Sequence, residues 1–297
     1  MNFIYDNIIY IMKSFWGGIN KQFYKKPNIL DTISSLEKII NEKCSVSRFG
    51  DGEINLLLGE GETPRFQGHD KRLQKKLKEV LKSDIQGLEI GLPDVFGNLS
   101  DYEKASARYW RAYLSINRKK ISELVNYDYT YINTNMTRFW SGYRKKEDAS
   151  VVIQLFKKIW NNRDVIFIEG ALTRMGVGND LFDNAKSTRR IICPAENAWK
   201  SYELIYRKVS ELKFDKNVLF ILALGPTATV LAHDLAIDGF QALDLGHIDV
   251  QYEYYLRKAN GKISLPGKYV NENVNGTIVT NDIIDRKYTE SIILRIE

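Results

Sequence analysis

Short apolar runs alternate with longer amphipathic segments through most of the chain. The apolar runs predict strands at residues 44–48, 88–92, 129–133, 165–168, 190–194, 218–224 and 241–245. The amphipathic segments predict helices at residues 30–42, 69–81, 102–125, 151–160, 199–212 and 227–237. Because most of these strands are apolar at consecutive positions, they are typical of a parallel sheet covered by helices on both faces. The pattern therefore predicts an α/β fold with a doubly wound, mostly parallel sheet.

The two ends of the chain fall outside this alternation, which we expect to form the main domain at residues 27–260. Residues 1–26 predict an amphipathic N-terminal extension. Its first part, residues 1–16, is apolar and aromatic, is interrupted by Asp6 and Lys13, and is too short to span a bilayer. Such a helix docks on the domain or lies on a membrane, and docking is the interpretation we favour. Residues 261–297, which include a Thr-Ile-Val-Thr run, predict a small irregular or hairpin extension at the C-terminal end.

The composition is that of a basic globular protein. The chain has 297 residues, a net charge of +6 and a pI near 9.0. This balance suggests an acidic partner, which is a phosphorylated substrate, an anionic membrane surface or a nucleic acid. The two cysteines, Cys44 and Cys193, lie in predicted strands without the spacing of metal ligands, which suits a reducing cytoplasm. We expect a cytoplasmic protein, with the inner face of the membrane as the alternative location.

A glycine-flanked turn follows the predicted strand 44–48 and carries two carboxylates, Asp51 and Glu53. Mg²⁺ and Mn²⁺ take oxygen ligands, and Mg²⁺ is usually held by one or two protein carboxylates together with substrate phosphates. Gly50 lets the backbone approach a bulky ligand, and Arg48 supplies donors for a phosphate. The alternative is a plain helix start, in which Asp51 caps the helix and Glu53 offsets its dipole. Both interpretations stay open at this point.

A second glycine-rich turn follows the predicted strand 165–168. It contains Arg174, Gly176, Gly178 and Asn179. Free backbone N–H groups at such a turn bind anions, and the arginine adds a fork of donors for phosphate. The spacing matches neither the dinucleotide fingerprint nor the phosphate loop of nucleotide hydrolases. Many α/β proteins carry glycine-rich turns without a ligand, so the motif alone has low specificity.

Two further segments carry groups suited to a nucleotide. Gly225 precedes a predicted helix start that contains Thr227. Thr227 is either a structural cap of this helix or part of a second helix N-terminus that points at the ligand. Capping alone is the favoured explanation for Thr227. Asn197 and Trp199 are placed to hydrogen-bond and stack a nucleobase, with a core position as the equal alternative for Trp199.

A histidine and two carboxylates, His247, Asp249 and Glu253, follow the last predicted strand. A general base is useful at such a position. The two carboxylates are four positions apart and share one face if a helix begins there. In the alternative interpretation, Asp249 caps that helix and Glu253 is exposed one turn later.

Taken together, these motifs resemble the GT-D-type bacterial glycosyltransferases, a family first catalogued as a domain of unknown function and found in streptococcal glycosylation loci. The matching motifs, in chain order, are Arg-Phe-Gly-Asp-Gly-Glu at 48–53, Glu-Gly at 169–170, Arg-Met-Gly-Val-Gly-Asn-Asp at 174–180, Leu-Gly-Pro-Thr-Ala at 224–228 and Asp-Leu-Gly-His-Ile-Asp at 244–249. They extend over about residues 41–258, and their joint order is more specific than any one motif.

The resemblance implies a Rossmann-like fold, a nucleotide-sugar donor that is typically UDP-glucose, and a divalent cation, Mn²⁺ or Mg²⁺, on the Asp-x-Glu pair Asp51 and Glu53. It also implies a catalytic carboxylate in the C-terminal half, for which Glu253 and Asp249 are the candidates. Glu253 is favoured because its side chain is longer. We expect the donor to contact Arg48, Gly50, Arg174, Gly176, Gly178, Asn179, Asn197, Gly225, Thr227 and His247.

The activity expected from this resemblance is transfer of a sugar, glucose in the first instance, from a UDP-sugar to a glycan or glycopeptide acceptor. A base-assisted single displacement inverts the anomeric centre, so we expect inversion. The rivals are a non-catalytic nucleotide-binding module and a nucleic-acid-binding protein. The carboxylate pair argues against nucleic acid, since it repels a polyphosphate unless a cation intervenes. Peripheral membrane contact remains an alternative role for the N-terminal extension.

Overall fold

The computed structural model describes residues 2–64, 66–270, 279 and 285–297. The strands are β1 Asn28–Ile29, β2 Ser45–Arg48, β3 Leu88–Leu92, β4 Thr130–Asn133, β5 Asp164–Gly170, β6 Ser187–Cys193, β7 Leu219–Ala223, β8 Gln241–Asp244 and β9 Ile292–Arg295. The helices are α1 Asn2–Asn20, α2 Thr32–Glu42, α3 Asp51–Leu58, α4 Lys71–Leu81, α5 Lys104–Ser122, α6 Ala149–Trp160, α7 Tyr202–Glu211, α8 Pro226–Ile237, α9 Ile248–Leu256 and α10 Arg286–Ser291. Short 3₁₀ helices lie at Lys21–Phe23, Thr134–Arg138 and Ala198–Ser201.

The strands form one sheet in the order β1-β4-β3-β2-β8-β7-β5-β6-β9, and every strand pairing in it is parallel. The central strands β2, β7 and β8 are buried at every position. Strand β7 is apolar throughout, as a strand covered on both faces requires. The polar side chains of β2, Ser45, Ser47 and Arg48, are buried with hydrogen-bond partners inside the protein. The predicted α/β, Rossmann-like fold with a mostly parallel sheet is confirmed.

Helices cover both faces of the sheet. Alternate residues of one strand point to opposite faces, so Ile166 and Phe167 enter different cores. One core is formed with residues of α3, α4, α5, α7 and α8. The other is formed with residues of α2, α6 and α9. The apolar sides of the helices therefore pack against the apolar residues of the strands in these two cores.

Strands β2 and β8 lie side by side at the centre of the sheet, although they are far apart in the chain. From β2 the chain continues to β3 and β4 on one side, whereas β7 and β8 occupy the other side. In open α/β sheets, ligands bind beyond the carboxyl ends of strands where the chain changes direction in this way. The fold therefore predicts a site above β2 and β8.

The described part of the C-terminal extension does not form a hairpin. It supplies α10 and β9, and β9 pairs in parallel with β6 at the edge of the sheet. The Thr-Ile-Val-Thr run at 277–280, which suggested the hairpin, lies outside the described residues except for Val279. The edge strand was not predicted because it is only four residues long and half-exposed.

The N-terminal helix α1 packs along α5. The contact is close at Gly17, where a Cβ would stand 1.8 Å from the carbonyl oxygen of Arg111. In the part of the chain that the structure describes, no helix has both the length and the apolar character needed to cross a membrane.

Candidate active site

A crevice of about 350 Å³ opens beyond the carboxyl ends of the central strands. Residues that end or directly follow β2, β4, β5, β6, β7 and β8 line it, namely Arg48, Thr134, Gly170, Pro194, Leu224 and Asp244. Among the residues predicted from the sequence, those that line the crevice are Arg48, Gly50, Asp51, Glu53, Asn197, Gly225 and His247. Those that do not are Arg174, Gly176, Gly178, Asn179, Thr227, Asp249 and Glu253.

The turn after β2 is both a helix start and part of the crevice. Gly50 is the N-cap of α3, and the Glu53 carboxylate accepts a hydrogen bond from the Gly50 N–H at 2.9 Å. Asp51 is the first residue of the helix, and its carboxylate accepts a hydrogen bond from the Tyr109 hydroxyl. The turn is therefore a helix start, with Gly50 rather than Asp51 as its cap, and both carboxylates still line the crevice.

The Glu53 carboxyl is difficult to ionise in this environment. Burial and the negative charge of Asp244 raise the pKa of the Glu53 carboxyl to about 7, against the opposing effects of the Gly50 N–H and Arg48. Burial and the charge of Asp51 also raise the pKa of Tyr109, which keeps its phenol as a donor to that carboxylate. A cation close to such a carboxyl group favours its ionised form and lowers its pKa.

Arg48 lines the crevice but directs its donors into the protein. Its Nη2 lies 2.9 Å from Asp244 Oδ1, its Nη1 donates to Thr137 Oγ1 at 2.7 Å, and its Nε donates to the Asp244 carbonyl. Both charged side chains of the pair are buried. This pair joins β2, β8 and the 3₁₀ helix Thr134–Arg138, so Arg48 holds the floor of the crevice together. Asp244 was not among the predicted site residues.

A second arginine, Arg138, supplies positive charge to the crevice. It is half-buried at the end of its 3₁₀ helix, and its Nη2 lies 3.4 Å from His247 Nε2. Both side chains line the crevice. Arg138 falls within a basic run of the sequence, but only the fold brings that run to the strand ends.

One wall of the crevice depends on Asn197 and Gly225. Asn197 accepts a hydrogen bond from the Gly68 N–H at 3.1 Å, and its own N–H donates to the Phe66 carbonyl at 2.6 Å. Gly225 has a φ of +55°, and a Cβ there would stand 2.1 Å from the Phe66 ring. Trp199, the predicted stacking partner, instead donates its indole N–H to Asp70 and is buried outside the crevice lining.

The second glycine-rich turn holds the C-terminal segment. Arg174 is buried, and its Nη1 donates to the Gly267 carbonyl at 2.7 Å. The Gly176 N–H donates to Asp249 at 2.9 Å, so this N–H is directed to a carboxylate of the protein. Thr227 is fully buried in α8. The structure therefore gives Arg174 and Gly176 internal partners rather than a place in the crevice.

Asp249 and Glu253, the predicted base candidates, form a buried ionic cluster with Lys268. The Lys268 ammonium lies 2.6 Å from Asp249 and 3.5 Å from Glu253. The Asn179 amide donates to Asp249 at 2.8 Å and to Glu253 at 2.7 Å. Neither carboxylate lines the crevice. Both side chains have contacts inside the protein, and the assignment of one of them as the base stays a prediction.

The described residues contain no group of three or more His, Cys, Asp or Glu side chains that could hold a metal ion. Asp51 and Glu53 instead fit an open site, in which two protein carboxylates bind a hard cation and substrate oxygens complete its coordination. A cation bound there would lower the pKa of Glu53 and so oppose the effect of burial, which raises it.

Three crevice residues could not have been identified from local sequence. Tyr109 lies on α5 and meets Asp51 across 58 positions, while Thr173 and Tyr269 reach the crevice from loops. No spacing signal connects these residues to the Asp51 turn. Asp244, by contrast, lies near the end of a predicted strand and is the first residue of the motif at 244–249, so its position alone was a usable signal.

Residues 46–273 match the family described as "Glycosyltransferase GT-D fold". Two curated relatives are a probable glycosyl transferase Gly of Streptococcus gordonii, 35% identical over 93% of this chain, and the glycosyltransferase GlyD of Streptococcus pneumoniae, 33% identical over 94%. The alignments cover only 40% and 34% of those relatives, so the chain spans well under half their length.

Solved structures agree with this match. A structure described as a new glycosyltransferase (DUF1792) from Streptococcus sanguinis is 33% identical and superposes with a TM-score of 0.85, covering 92% of this chain and 100% of that one. A second structure, described as a highly conserved domain of unknown function 1792 with a distinct glycosyltransferase fold, gives a TM-score of 0.85 at 32% identity, covering 96% and 98%. The chain belongs to the GT-D-fold glycosyltransferase family.

Proposed function

We propose that this chain transfers a sugar from a UDP-sugar, with glucose as the first candidate, to a glycan or glycopeptide acceptor. The observation that carries the proposal is the placement of Asp51 and Glu53 at one crevice with Arg138, beyond the carboxyl ends of parallel strands. A pair of carboxylates and an arginine suit a diphosphate bound together with a cation. Membership of the family supports the reaction class.

In this proposal Asp51 and Glu53 hold Mn²⁺ or Mg²⁺. The bound cation supplies Lewis-acid stabilisation of the leaving nucleoside diphosphate. Tyr109 orients Asp51 through its hydroxyl, and Arg138 donates to the phosphate charge that remains. Asn197 and Phe66 form the adjacent wall, where an amide and an aromatic ring suit a nucleobase. The Arg48–Asp244 pair keeps β2 and β8 in register beneath these groups.

The base that deprotonates the acceptor hydroxyl is sought among the crevice residues. Asp51 and Glu53 are assigned to the cation, and Asp244 is paired with Arg48. Glu62 and His247 are the remaining candidates in the described lining. A single displacement assisted by one of them inverts the anomeric centre. Loss of a positioned base typically lowers the transfer rate ~10²–10⁴-fold while sparing donor binding.

The experiment measures UDP release from UDP-glucose with and without Mn²⁺. Asp51→Asn is expected to reduce release to the metal-free level without unfolding the protein. Glu60→Gln is the matched control, because Glu60 is an exposed carboxylate that pairs with Lys120 and does not line the crevice. Full activity in chelator would contradict the metal assignment. UDP binding without release would instead identify a non-catalytic nucleotide-binding module.

A further inference from the structure

Helix α1 turns its apolar side to the outside. Its exposed apolar side chains are 37–71% accessible, and they are Ile8, Ile11, Met12, Phe15, Trp16 and Ile19. They recur every three or four positions and so form one stripe along the helix. Phe23, which is 69% exposed in the following 3₁₀ helix, extends the stripe. We call this surface, from Ile8 to Phe23, the α1 face. A helix that only packs on its own domain buries such a stripe.

The opposite side of α1 explains how the helix is held with this orientation. Gly17 lies so close to α5 that any Cβ there would clash with the Arg111 carbonyl oxygen. A Cβ at Gly18 would meet the aliphatic part of the same arginine at 3.9 Å. Small residues therefore make the close approach to α5, and the large apolar side chains of the α1 face are not needed for it.

The surroundings of the α1 face are basic. Residues 7–30 contain four lysines and no acidic residue, and α5 contains six lysines or arginines and no acidic residue. Lys13 and Lys21 are exposed on and directly after α1, and Arg108 is exposed on α5. Two copies of this surface that met around a two-fold axis would bring like charges together. Anionic lipid headgroups would attract the same charges.

We propose that the α1 face binds the surface of a bilayer that contains anionic lipids, with α1 lying in the plane of the interface. Apolar and aromatic side chains on one side of a helix, with lysines beside them, are the features of interfacial helices. The apolar stripe enters the boundary between headgroups and acyl chains, and the lysines contact lipid phosphates. This proposal does not depend on the donor or the acceptor of the crevice.

The test is flotation of the full chain with lipid vesicles. One set contains phosphatidylcholine with 30 mol% phosphatidylglycerol, and the other contains phosphatidylcholine alone. The wild-type chain should float with the anionic vesicles and lose most of this binding in 0.5 M NaCl. Combined Phe15→Gln and Trp16→Gln substitutions should weaken binding at least tenfold. Ile237→Gln is the matched control, because Ile237 is a 58% exposed apolar residue on α8 and should leave binding unchanged.

Circular dichroism and thermal unfolding check that each variant is folded. Combined Lys13→Gln and Lys21→Gln substitutions are a second test, which leaves the apolar stripe intact. These lysine substitutions should weaken binding and reduce its dependence on salt. Absence of vesicle binding by the wild-type chain would overturn the proposal, as would equal binding by the Phe15/Trp16 variant. Sedimentation that shows a dimer, dissociated by the Phe15/Trp16 substitutions, would assign the face to a second copy and would also overturn it.

Discussion

Lys268 lies between two carboxylates, and its replacement by methionine tests whether these three side chains form a structural unit. The Lys268, Asp249 and Glu253 side chains are 5%, 3% and 7% exposed. Methionine keeps the length and packing of the lysine but removes its charge. The two carboxylates then face each other in the protein interior without the ammonium group that lies between them.

The expected loss is large because the charges are buried. Breaking a buried ion pair by removing one partner costs about 3–5 kcal/mol of unfolding free energy, since the remaining charge is left uncompensated. Arg257→Met is the matched control. Arg257 contacts Glu253 at 3.1 Å, but its side chain is 49% exposed. Solvent screens the half-exposed guanidinium, and Lys268 still lies beside Glu253, so this variant should lose only about 0–1 kcal/mol.

Urea unfolding of both variants measures the difference in their unfolding free energies. A third variant, Glu253→Gln, extends the test to the predicted base. If Glu253 has a structural role, its substitution lowers the unfolding free energy and disturbs the neighbouring turn. If Glu253 is the base, its substitution lowers transfer ~10²–10⁴-fold while stability and UDP affinity stay unchanged. A Lys268→Met variant within 1 kcal/mol of wild type would refute the reasoning about the buried cluster.

Three further variants test the crevice and the turn that holds the C-terminal segment. Arg138→Ala should weaken UDP binding by roughly 1.5–3 kcal/mol, since a charged hydrogen bond to phosphate is lost. Unchanged affinity by calorimetry would remove Arg138 from the donor site. Arg174→Ala should leave UDP affinity unchanged and speed proteolytic cleavage of the C-terminal segment, because its guanidinium holds a carbonyl of that segment. A loss of UDP affinity with unchanged cleavage would support the original donor-binding prediction. Gly225→Ala should lower the unfolding free energy by about 1–3 kcal/mol, because the new methyl group meets the Phe66 ring. Gly239→Ala, at another positive φ but with open space around it, separates the steric clash from the backbone strain in the same urea experiment.

The fold was predictable because its main signals are local. Strand β3 has the predicted bounds, 88–92, since its apolar run lies between a glycine and a proline. Helix α7 starts later than predicted, because Asn197 adopts a positive φ and the next turn is a 3₁₀ helix. The edge strand β9 has only four residues, and its place beside β6 depends on a contact across about 100 positions. The local sequence pattern predicts helices and strands, whereas contacts between residues far apart in the chain determine where a short strand lies in the sheet.

The crevice was predictable in part for the same reason. The Asp51 turn carries its glycine and its carboxylates within a few residues, so its chemistry can be inferred directly from the sequence. The turn at 174–179 has the same kind of composition but binds the protein's own carboxylates. The backbone N–H groups of a glycine-rich turn can donate to an external phosphate or to an internal carboxylate. Composition therefore predicts that this turn binds an anion, and only the fold identifies Asp249 as that anion.

The two base candidates show what helical periodicity can and cannot predict. Asp249 and Glu253 do share one face of α9, as their spacing of four positions predicts. That face is turned towards Asn179 and Lys268, not towards the crevice. Periodicity gives the angle between two side chains around a helix axis but not the rotation of the helix against its neighbours. That rotation places the pair beside Lys268, a residue from a segment without any strong pattern of its own.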